Sequence, residues 1–125
     1  MAKGLTNVDA QAAAKLQEGG ALLVDVRESG EYAQLQIPGS RLVSLSRFDT
    51  IDLPVSPGQA VVFFCASGNR TSMNARRLAE KAGSAEAYVM QGGISAWRRA
   101  GLPVKSGDAS GANARPGFLS RVLGR

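Results

Sequence analysis

The order of apolar and polar residues predicts a three-layer α/β domain built on a mainly parallel sheet, and three observations carry that expectation. Short apolar runs at 21–26, which ends in polar residues, and at 60–64 are what strands buried on both faces require, because a parallel sheet is covered by helices on either side, and a further strand is read at 85–90. Stretches with helical spacing lie between these runs, so strands and helices alternate instead of segregating. The 125 residues, 44% of them hydrophobic, suffice for one core without disulfides or a structural metal.

The elements follow in order. Asp9 is a good N-cap for a helix over 10–18, which Gly19 and Gly20 stop. The run 21–26 is a buried strand that leaves Asp25 and Arg27 at its C-terminal end. Residues 28–35 read as a short helix closed by the Ile37-Pro38-Gly39-Ser40 turn. A weaker strand at 41–44, a helical turn at 46–51 and a loop with two prolines at 53–58 come next. The strand 60–64 then runs directly into Cys65-Ala66-Ser67-Gly68-Asn69-Arg70. A helix over 71–81 would place Met73, Ala75, Leu78, Ala79 and Ala82 on one side, and Gly83 stops it. A strand at 85–90, a Gly92-Gly93 turn, a helix at 94–100 holding Trp97, and Gly101-Leu102-Pro103-Val104 close the domain. Trp97 and Tyr32 are expected in the core.

The domain is therefore placed at 1–104 and a flexible basic tail at 105–125, where Ser, Gly and Ala dominate from Ser106 to Ala114. In the tail Phe118, Leu119, Val122 and Leu123 fall at helical spacing with Arg121 and Arg125 between them, a short amphipathic element able to touch a partner or an anionic membrane. About eight residues make only a marginal helix in water, so a plain linker is the first expectation. The net charge of +5 divides unevenly: 1–104 carries 11 basic against 9 acidic residues, and 105–125 carries 4 against 1. Only Arg76-Arg77 and Arg98-Arg99 cluster, without the interleaved aromatics of a nucleic-acid binder. Nucleic acid is not expected as a partner. There is no apolar run of the ~18 residues that would cross a bilayer and no apolar leader in residues 1–20, so the expected location is the cytoplasm.

One cysteine and no histidine narrow the chemistry. An internal disulfide and a zinc site of about four Cys or His ligands are excluded, as are the Ser-His-Asp triad and the Cys-His pair. No metal or cofactor is expected. What remains is Cys65 at the carboxyl end of a parallel strand, where ligands of open α/β sheets bind. The small residues after it, with Gly68 free to take positive φ, let backbone N–H groups turn inward and form an anion-binding nest at a helix start. Half-ionising a free cysteine of pKa ~8.5 at pH 7 takes ~2 kcal/mol of preferential stabilisation of the anion. A helix terminus contributes up to ~2 kcal/mol and each N–H to a charged acceptor ~1.5 to 3 kcal/mol before desolvation. Arg70 adds a permanent positive charge. Cys65 is the nucleophile on this reading, with Ala66, Ser67, Gly68, Asn69 and Arg70 binding substrate. An inert core cysteine is the bland alternative.

Six landmarks in order, Leu23-Val24-Asp25-Val26-Arg27-Glu28, Glu31-Tyr32, Ile37-Pro38-Gly39-Ser40, Cys65 to Arg70, Gly92 to Trp97 and Gly101-Leu102-Pro103-Val104, resemble a single-domain rhodanese over about residues 5–104. The resemblance implies a five-stranded parallel sheet flanked by helices. It also implies a thiosulfate sulfurtransferase: Cys65 attacks the outer sulfur of thiosulfate, expels sulfite, holds the sulfur as a persulfide and passes it to cyanide or a thiol. Arg70 would then bind the sulfonate end of the donor, or else form a structural salt bridge across the loop. Asp25 and Arg27 are read as supporting scaffold, with Arg27 paired to neighbouring Glu28 and Glu31. The family commonly has His where this chain has Gln36, read here as a change in the packing of that turn.

Three further readings compete. A Cys-dependent phosphatase or arsenate reductase closes its loop as Cys-x5-Arg, whereas here position six is Thr71 and the arginine comes one residue earlier, which suits a single sulfur better than a tetrahedral phosphate. A non-catalytic interaction module would keep the scaffold without the chemistry. A protein-to-protein sulfur relay would use the same persulfide with a protein acceptor.

Overall fold

Five short parallel strands form the centre of the molecule, and each helix returns the chain to the same edge of the sheet. The computed structural model describes residues 4–106, with β1 at Leu5–Val8, α1 at Ala10–Glu18, β2 at Leu22–Asp25, α2 at Ser29–Gln34 and β3 at Arg41–Leu42. A 3-10 turn at Leu45–Arg47 precedes β4 at Val61–Phe64, α3 at Asn69–Met73, α4 at Ala75–Ala82, β5 at Ala87–Met90 and α5 at Gly93–Arg99. The strand order is β1-β5-β4-β2-β3 and every pairing is parallel.

The continuous apolar runs have the predicted cause. Successive residues of β2 and β4 enter opposite cores. Val24, Val61 and Phe63 pack with Leu78 and Phe48 on one face, while Leu23, Val62 and Phe64 pack with Ala13, Ile94 and Trp97 on the other. Fully burying such side chains contributes roughly 1.5 to 3 kcal/mol each, before chain entropy is charged against it. Asp9 caps α1 as expected, accepting from the Ala12 N–H at 2.8 Å. Trp97 is buried and donates its indole N–H to the Pro103 carbonyl at 2.7 Å.

Four expectations are corrected. The apolar runs locate only four of the five strands that the resemblance implies and the sheet has: the fifth, β1, is an edge strand whose Thr6 and Asn7 face solvent, so it has no continuous apolar run to betray it. The single helix at 71–81 is two: Asn74 ends α3 with φ −119° and starts α4, holding the Arg70 carbonyl with its side-chain amide at 2.8 Å. That break moves Met73 to the surface, 83% exposed, and leaves Leu78 and Ala82 as the buried positions of α4. Tyr32 is half-buried, not core, with its hydroxyl donating to the Ser40 carbonyl at 2.9 Å. The helical turn placed at 46–51 is the shorter 3-10 turn one residue earlier.

Lys105, assigned to the tail on composition, pairs with Gln36 through two backbone hydrogen bonds of 2.8 and 2.9 Å. The amphipathic reading of Phe118 to Arg125 lies outside the described residues. Among the described residues no helix is long and apolar enough to cross a membrane.

Candidate active site

Cys65 follows β4 at the carboxyl edge of the sheet, ahead of α3. Its thiol is fully buried at the bottom of the 65–70 loop. Gly68 takes φ +103°, a conformation that an L side chain resists, and this turns the Gly68 N–H onto the sulfur at 3.1 Å. The Thr71 hydroxyl lies 3.7 Å from Sγ and 3.1 Å from the Gly68 carbonyl, tying the two ends of the loop together. Burial pushes the Cys65 thiol up. The N–H and hydroxyl of Thr71 and the N–H groups of Gly68 and Arg70 pull it down, and together they outweigh burial, so its pKa lies below the ordinary thiol value. Of the 66–70 loop, the N–H groups of Gly68 and Arg70 face the sulfur, and Thr71, just beyond the span singled out in the sequence, joins them.

The loop is held from behind by the start of α5. The Ile94 N–H donates to the Cys65 carbonyl at 2.9 Å and the Ser95 N–H to the Ala66 carbonyl at 3.0 Å. This contact needs Gly93: at φ +59°, an added Cβ would collide with the Cys65 carbonyl oxygen and lie 2.7 Å from the Ala66 carbonyl. The Gly92-Gly93 pair, read from the sequence only as a turn, is therefore part of the site's support.

Arg70 reaches across to α2. Its two terminal nitrogens donate to the two carboxylate oxygens of Glu31 at 2.8 and 2.9 Å, a bidentate fork between half-exposed side chains. That hydrogen-bonded pairing with Arg70 is the main reason the Glu31 carboxyl is lowered to about 2, against burial, which raises it, and with the Glu28 backbone adding to the lowering. The fork uses two of Arg70's five N–H donors.

Arg27 does not pair with Glu28 or Glu31 as expected. Its side chain folds back against the end of β2 and makes a buried salt bridge with Asp25 at 2.8 Å, with further bonds to the Leu35 carbonyl and from its own N–H to Asp25. Burial decides this: with Asp25 0% and Arg27 4% exposed, each must find an opposite charge inside, and the adjacent buried partner is the other. Glu28 instead bonds Ser46, at 2.6 Å, and closes a capping box with Glu31 at the start of α2. Asp25 and Arg27 support the strand end, and none of their hydrogen bonds among the described residues reaches Cys65. Ala66 is half-buried, while Ser67 and Asn69 lie on the loop's outer rim. Gln36 donates its side-chain amide to the Tyr32 carbonyl at 3.1 Å, within its own turn. No three Cys, Asp or Glu side chains among the described residues are grouped to hold a metal.

A cysteine lowered in pKa within a ring of N–H groups, beside an arginine, at the carboxyl edge of a parallel α/β sheet, is an arrangement that stabilises a thiolate. The chain belongs to the rhodanese-like domain family, whose family model matches residues 9–100. It is 37% identical over 94 residues to an uncharacterized protein of Synechocystis, covering 74% of this chain and 52% of that one, so it spans about half the length of that relative. It is 32% identical to a sulfurtransferase of Allochromatium vinosum, over 66% of this chain and 77% of the relative. A thiosulfate sulfurtransferase of Pseudomonas fluorescens is 31% identical over 66% and 75%. Among solved structures, a rhodanese-related protein of Thermoplasma volcanium superposes with TM-score 0.68 at 22% identity, covering 79% of this chain and 96% of that one. A Rhodopseudomonas palustris protein, described as of unknown function and a possible tyrosine phosphatase, gives 0.65 at 27% identity, over 81% and 85%.

Proposed function

We propose that this domain is a sulfurtransferase that carries sulfane sulfur on Cys65. The thiolate attacks the outer sulfur of thiosulfate or another persulfide donor; the new Sγ–S bond forms as the donor's S–S bond breaks, and sulfite or the donor thiolate leaves with the electron pair. An acceptor, cyanide or a thiolate, then attacks the outer sulfur and returns the pair to Sγ. The observation that carries this reading is the set of N–H donors aimed at Sγ. It stabilises the thiolate before transfer and serves the persulfide anion afterwards without a histidine. Arg70, held by Glu31, supplies the free N–H donors for the donor's sulfonate end.

A phosphatase reading is weaker. Four residues separate Cys65 from Arg70, so the ring of N–H groups closes on a smaller anion than a phosphate ester needs.

Intact mass spectrometry after thiosulfate treatment tests the proposal. The expected result is a gain of one sulfur, lost on adding cyanide and absent in Cys65→Ser. No gain by a folded protein would leave a non-catalytic interaction module as the better account.

A further inference from the structure

The core on the α1 side of the sheet is not fully closed. An open groove of about 710 Å³ runs between α1, the Pro57-Gly58-Gln59-Ala60 segment that leads into β4, and Tyr88 of β5. Val8, Leu16, Ala21 and Tyr88, half-buried residues packed against this core, form much of its wall, and Gly19, Gly20 and Gly58 add no side chains to it. The groove lies at the far end of β4 from the nucleophile: Ala60 precedes the strand and Cys65 follows it, and no residue of the 65–70 loop lines the groove.

Three polar side chains line it, Lys15, Gln59 and Tyr88. Gln59 is committed, since its side-chain oxygen accepts from the Ser56 N–H and its amide donates to the Gly20 carbonyl, both at 2.9 Å. The Lys15 ammonium and the Tyr88 hydroxyl have no partner among the described residues. Lys15 is also the one charged residue of the lining, so no carboxylate of the wall answers it.

We propose that this groove is a ligand site, separate from the sulfur chemistry, and that it takes a small apolar molecule ending in a carboxylate, of the medium-chain acyl class. The alkyl chain would replace water over Val8, Leu16, Ala21 and Ala60, which favours burial in proportion to the apolar area covered. The head group follows from the two uncommitted polar groups: an ammonium only donates, a phenol can donate, and a carboxylate only accepts. A neutral hydrocarbon would leave both donors unanswered, and a multiply charged phosphate would meet a single cation and an apolar wall. The space lies within the ~300 to 1,000 Å³ of ligand pockets.

Amide NMR of the full chain, titrated with octanoate as the probe, tests the site. Octanoate is expected to shift the amides of residues 15–21, 58–60 and 88 saturably and to leave those of 65–70 unmoved. Lys15 is exposed, so Lys15→Met, which keeps an unbranched apolar stem and removes the charge, is expected to fold as the wild type does. It should raise the half-saturation concentration for octanoate about threefold to tenfold and leave that for 1-octanol unchanged. The absence of a saturable shift in the groove, saturation confined to the 65–70 loop, or a Lys15→Met variant that binds octanoate as tightly as the wild type overturns the site. Binding is read with no sulfur donor present, so failure here leaves the sulfurtransferase reading standing, and failure of that reading leaves the groove.

Discussion

Arg70 and Glu31, 39 residues apart in sequence, are joined by two parallel hydrogen bonds of 2.8 and 2.9 Å, so the candidate anion-binding residue is positioned by α2 and not by its own loop. The pairing carries a pH signature. A carboxyl held at about 2 when folded, against 4.5 when free, contributes stability that is present above pH 4.5 and is lost as pH falls toward 2. Because both side chains are 38% exposed, solvent screening keeps the contribution small. Glu31→Gln is therefore expected to lower Tm by about 1 to 5 °C at pH 6. Thermal melts from pH 6 to pH 2.5 should show that gap closing toward the acid end; a gap that stays constant would mean the carboxylate's charge is not what matters.

Arg70 itself should discriminate between donors. Losing a charge-assisted hydrogen bond worth ~1.5 to 3 kcal/mol corresponds to a tenfold or greater rise in KM. Arg70→Ala is expected to raise KM for thiosulfate by about that factor, and to raise it less for an uncharged persulfide donor. Steady-state kinetics with the two donors decide the point, and equal losses would remove the sulfonate-binding role.

Thr71 contributes both an N–H and a hydroxyl to the Cys65 environment. Thr71→Val keeps the N–H and the shape but removes the hydroxyl, so the thiol pKa should rise. The rate of sulfur uptake follows the thiolate, and its rising limb should move to higher pH than in the wild type. Single-turnover loading across pH 5 to 10 measures this; an unmoved limb would assign the lowered pKa to the backbone alone.

Gly93 allows the close approach of α5 to the loop. Gly93→Ala adds a methyl group that collides with two backbone carbonyls, and it does so at positive φ, where Ala is itself strained. A loss of at least about 2 kcal/mol is expected from urea unfolding, together with impaired sulfur loading in the protein that remains folded. A variant with wild-type stability and loading would show that the loop does not depend on this contact.

How legible the molecule is in its sequence depends on whether a feature is local. The strand 60–64, the loop after it and the cap at Asp9 are each set by residues within a few positions. Apolar continuity, a glycine able to take positive φ and a short polar acceptor act over exactly that range of chain, about one turn or one strand, and all three appear in the structure. The break in the helix after the loop is not legible in the sequence, because Asn74 finds the Arg70 carbonyl and interrupts the period there, which no count of apolar spacing registers. The edge strand β1 was missed because it is stabilised by pairing with β5, more than 80 residues later, and its own residues are largely polar and exposed.

By itself, the sequence determined the α/β architecture and the place of the candidate nucleophile. One cysteine, placed at the end of a doubly buried strand and followed by a turn of small residues, has no histidine beside it, so what lowers its pKa comes from the loop's own N–H groups and the Thr71 hydroxyl. Only the tertiary structure decided which groups surround it. Folding brought Glu31 to Arg70, turned Arg27 inward to Asp25, pressed Gly93 against the loop and left the apolar groove beside Lys15 open. Those choices depend on burial and on distances between segments far apart in the chain, where a charge pairs with whichever opposite group the fold delivers rather than with its neighbour in sequence.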